Sequence, residues 1–428
     1  MADASVIKTV KKIIESDPDR RYVVVSAPGK RYSGDKKVTD LLYACHASYL
    51  KEGSCKNAFA PVRNRFISIV KQLNLTFDIF SLLDETERRI EEEHSLEFTA
   101  SRGEFLCARI FAELLGAKFI DAASVIYFNE DGVFDGDRSY KAIKSACKNC
   151  NLAVLPGFYG RGVDGKIKTF SRGGSDIVGA IVARAVQASL YENWTDVPGF
   201  LACDPHIVAN PRLIKKISFK ELRELSYMGA TVVHGDSILP VRQANIPIQI
   251  KNTFNPRGAG TTILPDYQYI SDSNPVVGIA GKKNYTVISV EKSLNTEEYP
   301  IIADALGVLS RADISVEYVP SSVDALSIVI DSSQLVEGKL QSVIDGINRV
   351  VEPDAIKVTE NIALVSTVGT GIGSTAGALA RLFTAIAAAN VKVKLISQCS
   401  SGLNVTVGID NADYEKCIRA IYSEFFTE

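Results

Sequence analysis

Two stretches in the last third of the chain, "RADISVEYVPSSVDALSIVID" (311–331) and "AANVKVKLISQCSSGLNVTVGID" (388–410), run through one order: helix end, strand, Ser-Ser turn, strand, Ile-Asp. A repeat of this kind constrains the fold more than composition does, because each copy must be one supersecondary unit that buries its apolar face. A strand and a helix precede each copy, "YTVISVEK" with "PIIADALGVLS" and "IALVSTVG" with "GALARLFTAIAAA", and a further helix follows each. The economical reading is two β-α-β-β-α-β units, 284–360 and 361–428. One further apolar run, "VVGIA" at 276–280, stands before them within a linker at 266–283, free to pair into the second copy's sheet. Neither copy gathers titratable side chains suited to acid-base or nucleophilic work, so both read as binding modules.

The first 265 residues have another texture. "RYVVVSAPG", "LAVLPGFYG" and "IPIQIKNT" read as buried strands, and amphipathic segments such as "VTDLLYACHASYL" and "SRGEFLCARIFAELLGA" lie between them. That alternation predicts an α/β sandwich around a mainly parallel sheet, with ligands gathered in the loops after the strands.

With 428 residues, 23% charged side chains and a formal net charge of -2, the chain has no polybasic stripe to favour a nucleic-acid partner. No apolar run approaches the roughly 20 residues of a membrane helix, and the N-terminus lacks a signal-peptide layout, so a cytoplasmic protein is expected. The eight scattered cysteines read as reduced thiols. Cys147 and Cys150 form a Cys-x-x-Cys without a second pair, so no metal site is expected there.

Chemistry-bearing residues concentrate in the first domain. "FSRGGSD" places Arg172, Gly173, Gly174, Ser175 and Asp176 where a helix begins, a pattern that suits either a capped loop or an anion site built from backbone N–H groups. "SRGE" presents Arg102 and Glu104 at the head of an amphipathic helix, where Ser101 with Glu104 fits a capping box and Glu104 also suits an ammonium group. Thr195 and Asp196 open "TDVPGF", a third helix-starting stretch, and Ser26 follows the strand "VVV".

In order along the chain, "VVSAPG", "KVTDLL", "SRGE", "LPGFYG", "FSRGGSD", "WTDVPGF", "ELSYMGATVVH", "IPIQIKN" and "NPRGAGT", followed by the paired repeat, resemble the aspartokinases of the amino acid kinase superfamily. The resemblance spans nearly the whole sequence. It implies an amino acid kinase-type three-layer sandwich followed by two ferredoxin-like ACT domains. It also implies transfer of the ATP γ-phosphoryl group to the β-carboxylate of L-aspartate, with Mg²⁺. Arg172 would grip the α-carboxylate, Glu104 the ammonium group, and Ser26 and Thr39 would line the same pocket, with Gly173, Gly174, Ser175 and Asp176 organising phosphoryl transfer. Thr195, Asp196, Leu201, His206 and Thr231 would contact the nucleotide. Ser293, Asn295, Ser321, Ser322 and Asp324 are the effector-pocket candidates, for lysine or threonine, and a homodimer or dimer of dimers through the ACT domains is implied.

The sequence also departs from the family. Thr231 stands where a phosphate-contacting lysine is common, and His206 where arginine is common. The opening "MADASVIKTV" matches what usually follows a K-F-G-G-[ST]-S strand. The expectation is a sequence that starts inside a longer, active aspartokinase; the alternative is a kinase-derived regulatory subunit without phosphoryl transfer. Acetylglutamate and uridylate kinases fit less well, since they lack the C-terminal pair. "VGTGIG" at 368–373 imitates a dinucleotide loop but reads as a tight strand-to-helix turn.

Overall fold

The computed structural model describes residues 1–171, 173–230, 237–266, 268, 274–293, 301–336, 338–398 and 400–427. The chain divides into two compact units, Met1–Gly199 with Val232–Pro265, and Phe200–Thr231 with Asp266–Glu428. The boundaries expected from sequence, at 265, 283 and 360, follow motif order rather than compactness, and they stand as our proposal for the domain limits.

Along the chain the first unit runs α1 (Ala4–Glu15), β1 (Tyr22–Val25), α2 (Val38–Glu52), α3 (Lys56–Leu73), α4 (Ile79–Glu93), α5 (Leu96–Leu115), β2 (Lys118–Phe119), α6 (Gly136–Cys147), β3 (Ala153–Pro156), β4 (Tyr159–Arg161), β5 (Ile167–Thr169), α7 (Gly174–Ala185) and β6 (Tyr191–Thr195). The segment 200–231 adds β7 (Lys216–Ser218) and α8 (Phe219–Tyr227) to the second unit. The first unit closes with α9 (Leu239–Gln243), β8 (Ile248–Asn252) and β9 (Thr261–Leu264).

β1, β3 and β2 form a parallel sheet in the order β1-β3-β2. Every residue of β3 is buried, because a parallel strand with helices on both faces has no polar side. Its side chains part accordingly. Val154 packs into one cluster with Leu42, Phe59, Phe66 and Leu106 of α2, α3 and α5. Ala153 and Leu155 enter the other with Ile143 of α6 and Val178 and Ile181 of α7. Strand alternation thus produces helix, sheet and helix layers. β6 pairs parallel with β8, which pairs antiparallel with β9.

The second unit continues with β10 (Gly278–Glu291), α10 (Ile301–Arg311), β11 (Ala325–Asp331), α11 (Lys339–Val351), β12 (Ala355–Val368), α12 (Ala378–Ala388), β13 (Leu395–Gln398), β14 (Asn404–Asp410) and α13 (Tyr414–Phe426). One five-stranded sheet has the order β11-β10-β12-β14-β13. The run 276–280 pairs into the second copy's sheet as expected, but its residues from Gly278 open the long β10 rather than forming a separate strand. Gly278–Lys282 pair with Leu364–Val368, and after a bulge Tyr285–Glu291 pair with both β11 and Ala355–Ile362. The positive φ of Asn284 in that bulge lets one strand serve both halves of the sheet.

Candidate active site

Four segments of the first unit meet at the carboxyl ends of β1 and β3. Val25 ends β1, and its carbonyl accepts a hydrogen bond from the Gly157 amide at 2.9 Å, which ties the two strand exits together. A Cβ on Gly157 would stand 2.6 Å from Ser175 Oγ, and one on Gly174 would stand 2.6 Å from the Phe158 ring. Only glycines let the start of α7 approach so closely. Phe158, between them, has φ +78°, a conformation a bulky residue adopts only under constraint from its surroundings. Gly173 caps α7 at φ +58°.

The third segment is α5. Its cap is Ser95, whose side chain accepts from the Phe98 amide, so the helix begins at Leu96 and "SRGE" lies well inside it. The expected capping box at Ser101 and Glu104 is therefore corrected. Ser101 donates back to the Phe98 carbonyl at 2.6 Å, since a mid-helix serine has no free amide ahead of it to cap. Arg102, expected at the helix head, lies inside the helix and is buried against Phe98, Phe105 and Tyr159 at 4.3, 4.5 and 5.3 Å, and burial pulls its guanidinium pKa down. Tyr159 in turn donates to Asp121 at 2.8 Å.

Glu104 points elsewhere, since residues two apart on a helix do not share a face. It is 6% exposed, it accepts from the Ala27 amide, and its Oε2 atom has no hydrogen-bond partner. Burial pushes its carboxyl up to about 7, against which the hydrogen bonds and the Arg102 charge act only in part. Gly103 beside it packs on Ala27, Val38 and Leu42. Glu104, the Ser26–Ala27 exit of β1 and the first turn of α2, which carries Thr39, are thus brought together. Arg172 lies outside the described residues, as do Thr231 and Asn295.

Asp176, in the first turn of α7, accepts a hydrogen bond from Asn193 Nδ2 at 2.8 Å, and the Tyr191 hydroxyl donates to the Asp176 carbonyl at 3.3 Å. Tyr191, Asn193 and Thr195 alternate along β6, so one strand face connects Asp176 with the residues expected to meet the nucleotide. No motif marks Asn193; its period-two spacing from Thr195 is the one signal that singles it out. Thr195 ends β6 and no helix follows it, which corrects the expected helix start. Its carbonyl accepts from Thr253, and the Asp196 carbonyl accepts from Asn252 at 3.2 Å. Trp194, expected as a core anchor, is half-buried between the cations of Arg20 and Lys251, each 5.4 Å from its ring. Leu201 and His206 belong to the second unit, where the exposed His206 ring bonds Asp204 at 2.9 Å.

The effector candidates Ser293 and Asp324 are neighbours: the Lys292 amide donates to the Asp324 carbonyl at 3.0 Å. The Ser293 amide donates to Asp354 at 2.7 Å, holding that carboxyl below its usual range. Ser321 and Ser322 form the adjoining turn, with the Ser322 amide on the Ala325 carbonyl. Asp354 carries no sequence signal, because the contact spans 61 residues.

The amino acid kinase family matches residues 1–252, and an ACT domain family matches residues 365–425. The chain is 35% identical to Aspartokinase 3 of Bacillus subtilis (strain 168) over 442 residues, covering 100% of this chain and 96% of that protein. It belongs to the aspartokinases. Against the crystal structure of Clostridium acetobutylicum aspartate kinase, identity is 47% and the TM-score 0.93, covering 99% of this chain and 97% of that one. Lysine-sensitive aspartokinase 3 of Escherichia coli (strain K12) is 26% identical over 459 residues, covering 100% of this chain and 97% of that protein. As an aspartokinase the chain is an ATP-dependent phosphotransferase with a carboxyl acceptor, and its two units carry the amino acid kinase fold and ACT modules.

Proposed function

We propose that this aspartokinase converts L-aspartate and ATP to 4-phospho-L-aspartate, the entry step to lysine, threonine and methionine, and that an amino acid bound at its ACT modules restrains it. The observation that carries the reading is the orphaned Oε2 of Glu104. A buried carboxylate with one oxygen left unpartnered is costly, and an incoming ammonium group would supply both the charge and the donor that this oxygen lacks.

In this reading Ser26, Thr39 and Glu104 receive the amino acid, and Arg172 takes its α-carboxylate, a task for which a two-pronged guanidinium is better suited than an ammonium group. The backbone N–H groups at the start of α7, from Gly173 to Asp176, face the anionic end of the reaction. Thr195 and Asp196, with Leu201, His206 and Thr231, are proposed nucleotide contacts. The β-carboxylate is already a nucleophile at neutral pH, so the protein has to align it and neutralise charge rather than remove a proton. No three His, Cys, Asp or Glu side chains among the described residues converge on one point, so a protein-built metal cage does not fit. Mg²⁺ would instead be held chiefly by the nucleotide phosphates.

Lysine is the effector we favour over threonine, since a relative matched over the full chain is lysine-sensitive by name. Ser293, Asn295, Ser321, Ser322 and Asp324 are proposed to form its pocket, in a homodimer or dimer of dimers. Calorimetric titration of L-aspartate into the wild type and the Glu104→Gln and Arg172→Ala variants tests the pocket. Loss of affinity in both is expected, and unchanged affinity in both overturns it. ADP release from ATP, Mg²⁺ and L-aspartate, with lysine or threonine added, tests reaction and effector together.

A further inference from the structure

Ser26 and Thr39 are separated by an excursion whose neck is closed by one arginine from another helix. Arg65, on α3, is 5% exposed, and it reaches out of its own helix to acceptors at Ala2, Gly29, Asp35 and Lys36. Its Nη1 donates to the carbonyls of Gly29 at 3.1 Å and Ala2 at 3.2 Å; its Nη2 donates to Asp35 Oδ2 at 2.6 Å and to the Lys36 carbonyl at 3.3 Å. From the exposed side, Arg31 donates to the same Asp35 carboxylate through its amide, Nε and Nη2 at 3.0, 2.8 and 3.0 Å. The Val38 amide on the Pro28 carbonyl, at 3.2 Å, completes the neck.

Such a group is out of place if its task is only to fill space. An apolar side chain of similar volume would pack α3 without a buried charge to desolvate. What the guanidinium adds is geometry: a planar fork holds Gly29, Asp35 and Lys36 at once, fixing where the excursion leaves β1 and where it re-enters at α2. Those two points are the attachments of Ser26 and Thr39.

We propose that Arg65 and Asp35 are positioning residues for the substrate, a staple that holds Ser26 and Thr39 in register with Glu104 and so sets aspartate affinity from outside the pocket. This rests on the assignment of Ser26, Thr39 and Glu104 to the aspartate pocket. Neither residue of the staple touches the substrate. Its loss would be felt as lost preorganisation of the pocket, because the excursion would have to be ordered on binding.

The test uses the full chain with the double variant Arg65→Met/Asp35→Asn, which removes both charges together, and Arg31→Ala, which removes only the exposed donor. Aspartate and ADP dissociation constants are measured by calorimetry, and tryptic cleavage after Lys30, Arg31, Lys36 and Lys37 is followed by mass spectrometry. In the double variant we expect aspartate to bind about tenfold more weakly, ADP to stay within about twofold, and the excursion to be cleaved faster. Arg31→Ala, with its core intact, should weaken aspartate binding about threefold and settles the matter if the double variant does not fold. Unchanged aspartate affinity in a folded variant overturns the staple's role. The pocket assignment fails separately, by unchanged affinity in Ser26→Ala and Glu104→Gln.

Discussion

Gly103 of α5 lies so close to Ala27 that a Cβ on it would stand 2.7 Å from the Ala27 side chain, and 3.4 Å from both Val38 and Leu42. The contact fixes the distance between Glu104 and the Ser26 exit of β1. Gly103→Ala forces the strand exit away from the helix. Overpacking of this kind typically destabilises by about 1–3 kcal/mol. The expected outcome is a loss of that size in urea unfolding, together with an aspartate dissociation constant raised about tenfold by calorimetry, since a misplacement near 1 Å is expensive in a preorganised site.

Glu104 makes aspartate binding and stability respond to pH in opposite directions. Its folded value of about 7 lies above the ordinary 4.5, so its contribution to stability is full below about pH 4.5 and is lost as pH rises through 7. The gap corresponds to something on the order of 3 kcal/mol. Binding of an ammonium group needs the ionised form, so aspartate should bind more tightly as pH rises through 7 and should release a proton on binding at pH 6. Glu104→Gln should abolish both trends and stabilise the ligand-free protein at pH 8. Unfolding curves and calorimetry in buffers of differing ionisation enthalpy measure the two effects, and a proton count of zero at pH 6 contradicts the assignment.

Asn193→Ala removes the amide that holds Asp176 Oδ1. The carboxylate keeps its charge and loses one orienting donor, so the damage should fall on kcat, by about tenfold to a hundredfold, with the KM for aspartate within about twofold. Asn193→Gln, which carries the same amide on a longer stem, should not restore the rate. Steady-state kinetics against both substrates measures the split, and circular dichroism of the variant checks that the loss of kcat is not a loss of folded enzyme.

Much of this architecture could be read in advance, and the failures have physical causes. The apolar run "AVL" reads as a buried strand and forms one, "VVV" forms a strand that is mostly half-buried, and the Ser-Ser repeat required paired modules. The misplacement of "SRGE" came from local chemistry. Ser101 and Glu104 have capping-box spacing, but the stretch Leu96–Ala100 already continues the helix upstream, and Ser95 is its cap. Asn193, Arg65 and Asp35 were silent because each acts over a long sequence separation: 17 residues from Asn193 to Asp176, and 30 from Arg65 to Asp35. Such partners are set by packing, and no local propensity encodes them. The 276–280 run does pair into the second copy's sheet, as the sequence suggests, but as the start of β10 rather than as a strand of its own. A bulge at Asn284 joins two apolar runs into one strand, and an asparagine between them reads from sequence as a turn.

The "VGTGIG" turn owes its shape to Glu221, a residue 149 positions away in sequence. Glu221 is fully buried in α8 of the second unit; its Oε2 accepts from the Ser218 amide and hydroxyl, each at 3.0 Å, closing a capping box. Its Oε1 accepts from the Thr370 amide at 2.8 Å. The backbone donor that a phosphate would need is therefore already engaged, and the neighbouring glycines are pressed against protein: a Cβ on Gly369 would stand 2.3 Å from the Pro275 carbonyl, and one on Gly373 would stand 2.6 Å from Gly402. Glu221→Gln keeps the volume but turns one acceptor into a donor facing a donor. Leaving such a group unpaired in the interior costs about 1–3 kcal/mol, so unfolding of the second unit should lose stability by that amount, with faster amide exchange at 369–372. Aspartate affinity should stay within about twofold, because the substitution touches nothing in the pocket around Glu104. Gain of dinucleotide binding by this variant, measured by fluorescence titration with NADH, would instead show that the turn is a nucleotide loop held shut by Glu221.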